Sequence, residues 1–252
     1  MTDPGDRSGS RPFLTARWVN LCLFSFETPR ELLAPLLAPG LELDSLDGKA
    51  FVSLVAFQFL DTRVKGCRIP GHVNFPELNL RFYVRDGDRR GVMFVREYVP
   101  RRAIAVTARL LYNEPYLAAA MTARVTREGG RLEAMYGIRR GGREHRMGAV
   151  ARDEAWMPEA DSAEHFFKEH EWGYGVSRRG ERLTYRVEHP QWRVYPIESV
   201  TIDVDWAALY GPQWRVMQDV EPYSTVLAEG SETRVMPLSM AAKATPAPPV
   251  NG

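Results

Sequence analysis

The run Glu77-Leu78-Asn79-Leu80-Arg81-Phe82-Tyr83 alternates apolar and polar residues without a break. Side chains on a strand point to opposite faces with period two. Leu78, Leu80, Phe82 and Val84 therefore share one face, and Glu77, Asn79, Arg81 and Tyr83 share the other. The polar face sets an acid, an amide, a guanidinium and a phenol in one row about 20 Å long. If that face is buried, it is the wall of a polar cavity. If it is exposed, it is a solvated face with cross-strand pairs.

The rest of the chain limits what such a strand can belong to. A length of 252 residues suits one large β or α+β domain. With 44% hydrophobic and 26% charged residues it reads as globular and soluble. A net charge of +1 gives no field for nucleic acid or anionic membrane. No run reaches the roughly 18 apolar residues of a membrane span, and residues 1–12 lack the apolar centre of a signal peptide. The expectation is a cytoplasmic protein with reduced Cys22 and Cys67, neither of which shows metal-site spacing. Residues 1–12 and 241–252 read as disordered tails around a single domain over 13–240.

Between the tails, strands are expected at 18–26, 41–44, 50–59, 75–85 and 91–98, then at 121–127, 131–139, 183–188 and 200–204. Thr28-Pro29-Arg30-Glu31 carries a capping pattern that opens a helix. Residues 102–112 and 161–168 are further helix candidates, the second capped by Asp161 or Ser162. The balance predicts an α+β fold, with a closed or strongly curved sheet and flanking helices. Arg139-Arg140-Gly141-Gly142-Arg143 reads as a solvated hairpin tip.

Several segments together resemble one family. They are Trp18 to Phe24, Leu41 to Asp44 with Asp47-Gly48, Phe75 to Val84, Gly91 to Phe94, Ala108-Arg109 with Pro115-Tyr116, and His189-Pro190-Gln191-Trp192. They look like the YqjF-like proteins, defined as a domain of unknown function (DUF2071), over about residues 13–240. That family is placed with the acetoacetate decarboxylase-like fold. The resemblance implies a closed β-structure around a central cavity, and so a buried polar wall on the strand of Glu77. Acetoacetate decarboxylase uses a lysine as a Schiff-base nucleophile. Asn113-Glu114-Pro115-Tyr116-Leu117 resembles its lysine-bearing run, with Tyr116 and Leu117 where two lysines would fall. A tyrosine forms no imine. The lysines of this chain, Lys49, Lys65, Lys168 and Lys243, lie in a turn, a loop, a helix candidate and a tail. Schiff-base decarboxylation is therefore not expected.

Glu77 and Tyr116 are the candidate catalytic residues. A buried carboxylate with a raised pKa can act as a general base, and a phenol can donate to a carbonyl oxygen. Asn79, Arg81, Tyr83, Arg109 and His189 are the candidate substrate-binding residues. Each has a structural reading beside the functional one. Glu77 and Arg81, about 13 Å apart along the strand, cannot pair directly, so Arg81 is expected to meet an acid such as Glu97. Arg109 could pair with Glu77 or Glu114, and His189 could be a proton-transfer group at the cavity mouth or a structural histidine. His165 and His170, five residues apart, do not share a helix face, and no HExxH occurs, so no metal and no cofactor is expected. The reading is an enzyme acting without a cofactor on a small carbonyl or carboxylate compound, by proton transfer, isomerisation, cyclisation or non-imine C–C chemistry. The alternative is a small-molecule-binding protein using the same cavity. No nucleic-acid or membrane partner is expected, and homo-oligomerisation is left open.

Overall fold

The computed structural model describes residues 11–111 and 113–240. Of the two expected tails only Arg11 and Pro12 fall within that range, and they carry no regular structure. The first half holds β1 (Leu14–Glu27), α1 (Arg30–Leu33), β2 (Glu42–Leu43), β3 (Phe51–Val64), β4 (Phe75–Asp86) and β5 (Arg89–Val99). Next come α2 (Arg102–Leu111), β6 (Tyr116–Ala118), β7 (Ala120–Glu128), β8 (Arg131–Arg140) and β9 (Arg143–Arg152). The last part holds α3 (Ala163–Lys168), β10 (Trp172–Val176), β11 (Arg182–Glu188), β12 (Val194–Tyr195), β13 (Ile197–Asp203), α4 (Trp206–Tyr210), β14 (Ser224–Val235) and β15 (Ser239–Met240).

The main sheet runs β12-β14-β1-β3-β4-β5-β10-β11-β15. Strand β11 also pairs with β14, through Val187 opposite Val235 and Glu188 opposite Arg234. The pairings β14-β1-β3-β4-β5-β10-β11 thus return on themselves, and the α+β fold is built on a strongly curved sheet. A second sheet, β13-β9-β8-β7, covers one face of it. The core between them joins Phe24, Leu54, Leu80 and Phe82 to Leu132, Ala134, Ala149 and Trp206. A separate apolar cluster, including Leu21, Val55, Phe57, Phe59 and Trp192, lies on the opposite face of the main sheet. Among the described residues no helix is long and apolar enough to cross a membrane.

Strands β9, β10 and β14 and helix α4 are additions to the sequence expectation. β9 opens on Arg-Glu-His-Arg, and β10 and β14 contain glycines, so none shows a clean period-two pattern. The Thr28 cap is corrected. Helix α1 starts behind Pro29 with no side-chain cap, and Thr28 Oγ1 donates instead to the Phe26 carbonyl at 3.1 Å. Ser162 does cap α3, accepting from the His165 N–H at 3.1 Å.

Three irregularities decide which side chains face inward. In β1 the register shifts between Val19 and Cys22, where Asn20 has φ 55°. Leu14 and Trp18 before the shift and Leu21 after it then face the same way. In β3, Asp61 at φ 56° lets Phe57 and Phe59 share a face with Thr62 and Val64. Between β4 and β5 the register shifts at Leu80/Arg81, so Val92 and Phe94 share a face with Glu97. Each added residue reverses the alternation for the rest of its strand.

Candidate active site

The face of the main sheet that carries the second apolar cluster lines a cavity of ≈ 320 Å³. Most of the lining is apolar, and the expected polar wall on β4 is one strip of it, through Glu77, Asn79 and Arg81. Strands β1 and β3 turn Trp18, Leu21, Val55, Phe57 and Phe59 toward it, and α2 adds Ala103, Ile104 and Ala108. The polar side chains form a cluster within this apolar surround.

Three buried carboxyls form its centre. Glu77 comes from β4 and Glu97 from β5, where the register sets Glu97 opposite Asn79. Glu114 sits in the turn after α2. Asn113 there is left-handed at φ 51°, and Pro115 keeps the residue before it out of the helical region. Tyr116 follows on β6, which runs parallel to β5 and faces Glu97. The Tyr116 hydroxyl donates to Glu77 Oε2 at 2.9 Å, and Asn79 Nδ2 donates to Glu77 Oε1 at 3.1 Å. Tyr116 also bonds to Glu97, and Tyr185 from β11 bonds to Glu114. Tyr185 fits because its neighbour on β10 is Gly173, where a Cβ would lie 2.2 Å from the tyrosine ring.

Burial raises all three carboxyls. Glu77 is pushed up to about 7, against the lowering effect of its bonds to Asn79 and Tyr116. Glu114 is pushed up to about 8, partly relieved by Tyr185 and raised further by the charge of Glu77. Glu97 is held well above the carboxylate range by burial, then by Glu114 and Glu77. The folded protein therefore keeps protons that the unfolded chain, with carboxyls near 4.3, has lost. That stabilisation is complete below the unfolded value and is lost as pH rises through the folded values. His170 and His189 are shifted the other way, so they remove stability as pH falls through about 6.5. Between pH 6.5 and 8 the carboxyls dominate, with a smaller opposing change from the two histidines near pH 6.5. Urea unfolding should show stability falling by about 3 kcal/mol across that window, with a smaller drop in Glu114→Gln. A flat profile would mean that the cluster is already ionised at pH 6.5.

The remaining polar wall holds Arg81, His170 and Lys168. Arg81 lines the cavity, and its Nη2 donates to the Phe167 carbonyl at 2.7 Å. The expected Arg81–Glu97 pair does not form, because the register shift places Arg81 opposite Phe94. His170 is 8% exposed, lies against Tyr83 with tilted rings 4.9 Å apart and has neither ring nitrogen bonded. Burial first, then Arg81 and Arg90, hold its pKa well below the usual imidazole value. Lys168, the last residue of α3, is 1% exposed, lines the cavity and pairs with Glu169.

Of the residues singled out from sequence, the structure brings Glu77, Asn79, Arg81, Tyr116 and His189 to the cavity. His189 stacks on Trp192 with ring centroids 4.0 Å apart. Two candidates are corrected. Tyr83 is not part of the lining. Phe166 and Phe167 cover its ring, and its hydroxyl bonds to Ser53 and to the Phe167 carbonyl. Arg109 lies on the exposed side of α2, whose inward face carries Ile104, Thr107 and Ala108. Glu97, Glu114, Tyr185, His170 and Lys168 belong to the wall without having been candidates. Among the described residues no group of His, Cys, Asp or Glu is placed to hold a metal ion.

Comparison with known proteins agrees with this architecture. A curated relative, the uncharacterised protein YqjF of Bacillus subtilis strain 168, is 31% identical over 105 residues. That match spans 41% of this chain and 43% of the relative, so it covers less than half of either. Acetoacetate decarboxylase from Legionella pneumophila superposes over 96% of this chain and 93% of its own, with a TM-score of 0.58 and 14% identity. An acetoacetate decarboxylase-like enzyme from Sphingomonas wittichii RW1 covers 95% and 99%, with a TM-score of 0.60 and 15% identity. The enduracididine biosynthesis enzyme MppR, complexed with pyruvate, covers 95% and 94%, with a TM-score of 0.61 and 13% identity. These structures share the fold. Residues 15–232 match the family model DUF2071, described as an uncharacterised conserved protein, and the chain belongs to that family.

Proposed function

We propose that the protein is an acid–base enzyme that moves a proton on a small carbonyl compound bearing a carboxylate, using its own side chains. The observation that carries this reading is the Glu77–Tyr116 pair. Glu77 is a buried carboxyl in a cavity wall, bonded to a phenol at 2.9 Å, with its pKa pushed up to about 7. Such a group gives and takes protons with nearly equal ease at neutral pH. Glu77 would accept a proton from the carbon next to the substrate carbonyl, breaking the C–H bond and leaving its electron pair as an enolate. Tyr116 would donate a hydrogen bond to the enolate oxygen. Arg81 and His170 are the groups that would hold the substrate carboxylate. Reprotonation of the same or a neighbouring carbon gives exchange or isomerisation, and attack on a second carbonyl gives cyclisation or C–C bond formation.

Pyruvate, held by the structural neighbour MppR, is the first probe, followed by larger 2-oxo acids. In D2O at pH 7, proton NMR should show enzyme-dependent loss of the signal at the carbon next to the ketone. Binding without exchange for every acid that binds would instead support a non-catalytic carrier.

The same cavity should form no imine. Tyr116 and Leu117 occupy the place where the resembling decarboxylases carry lysines, and the Lys168 ammonium is committed to Glu169. Borohydride treatment with pyruvate or acetoacetate should leave the intact mass unchanged. A reduced adduct on Lys168 would replace general-base chemistry with Schiff-base chemistry.

A further inference from the structure

Among the described residues, the buried polar atoms of the cavity that lack a protein partner are Trp18 Nε1 and Thr62 Oγ1 on the aromatic side, and two groups on the polar side. Arg81 Nε and the two ring nitrogens of His170 form one, on the side already assigned to the substrate carboxylate. Asn79 Oδ1, Glu97 Oε2 and Glu114 Oε1 form the other. The second group accepts: Asn79 through its amide oxygen, and Glu97 and Glu114 once their carboxyls give up their protons. Asn79 Oδ1 has no hydrogen to give, and one of the two amide N–H groups is already used on Glu77. Asn79 and Glu97 are directly opposed across β4 and β5. Glu114 lies close enough to Glu97 for each charge to be felt by the other. Buried acceptors in such a patch require donors from whatever fills the space.

We propose that Asn79, Glu97 and Glu114 form a recognition subsite for an organic ammonium group on the substrate. An ammonium has three N–H donors, matching the three open acceptors, whereas a hydroxyl has one. Charge points the same way. The cluster holds Glu77, Glu97 and Glu114 beside Tyr116 and Tyr185, with no cation among them. The cations that face it across the cavity are Arg81, His170 and His189 when protonated, and Lys168, which Glu169 neutralises. The aromatic walls from Trp18, Phe57 and Phe59 suit an apolar body and can also face a cation. Asn79 and Arg81 are two residues apart on one strand face, about 7 Å. That spacing places the ammonium close to the carboxylate, so the substrate class is a small zwitterion with an apolar body. This inference rests on the carboxylate-binding reading above and adds to it. An ammonium beside the three carboxyls would also favour the ionised form of Glu77, so that substrate binding itself produces the base.

Four probes of similar shape separate the two subsites: L-phenylalanine, 3-phenylpropionate, 2-phenylethylamine and phenylpyruvate. Isothermal titration at pH 7 should give L-phenylalanine at least about tenfold tighter binding than 3-phenylpropionate. Its binding heat should vary with buffer in the sense of proton release. The advantage should collapse in Glu97→Gln and in Glu114→Gln, each checked for folding by thermal melting. Equal affinity for L-phenylalanine and 3-phenylpropionate in the wild-type protein would overturn the ammonium subsite and leave the proposed function intact. Binding of 2-phenylethylamine with none of either acid would support the subsite and overturn the carboxylate reading. Failure of all four probes at millimolar concentration would overturn both.

Discussion

Glu77→Gln should lower solvent-deuterium exchange into a bound 2-oxo acid by about 10²–10⁴-fold, the range typical of a lost general base. The amide keeps the volume of the carboxyl and can still accept from one of its two donors, Asn79 or Tyr116. Glu77 is not half of an ion pair, since its partners are an amide and a phenol, so the variant leaves no buried charge without a counterion. At pH 6.5 the variant should lose no more than about 1 kcal/mol, the worth of one hydrogen bond, and can gain stability because the amide stays neutral without a proton. At pH 8 the comparison should move further in favour of the variant, because the wild-type protein there holds an ionised carboxylate in an apolar wall. Exchange kinetics and urea unfolding of the same preparation read both effects. An unchanged rate in a folded Glu77→Gln would remove Glu77 from the chemistry, and a loss of several kcal/mol at pH 6.5 would assign it a structural role.

The strand that carries Glu77 was legible because β4 keeps its alternation through Glu77, Asn79 and Arg81, all of which reach the cavity. The family resemblance added the curvature that made this face an inner wall. What stayed hidden follows from the same rule. Counted from Val92 and Phe94, period two sends Glu97 to the opposite face. Only the register shift at Leu80/Arg81 brings it back, and nothing in the sequence of β5 marks that shift. Arg96 then points the other way and donates to the Leu209 carbonyl at 2.7 Å. Tyr83 shows the converse error. Its parity is right, but α3 lies over that end of the strand, and strand periodicity carries no information about a helix more than eighty residues later. Glu114 had a local signal in Asn113 and Pro115, which together end α2 and start β6. Its neighbour Tyr116 drew attention because it stands where a lysine is expected, while Glu114 itself entered only as a partner for Arg109.

Gly230→Ala should be the most destabilising single change near the cavity, by about 4 kcal/mol or more, with loss of soluble protein at 37 °C. Gly230 lies in β14 opposite Val19, beside the irregularity at Asn20 in β1. Its φ is 83°, a conformation that strains any residue with a Cβ. The added methyl would also lie 1.9 Å from the Trp18 carbonyl oxygen, a backbone atom in a paired strand that cannot turn aside. Two penalties therefore fall on one position. They fall where the fold prepares the cavity, because the irregularity in β1 allows Trp18 and Leu21 to face the same way despite their odd spacing. Trp18 in turn packs on Phe57 at 5.2 Å and Phe59 at 5.4 Å. To relieve the clash, β1 would have to move away from β14 and carry this aromatic wall with it. Thermal melting shows the stability loss, and tryptophan fluorescence shows whether Trp18 and its tilted neighbour Trp192 have shifted. A Gly230→Ala protein with wild-type melting would mean that β1 and β14 can re-pair without the left-handed residue. In that case the inward direction of Trp18 would need another cause.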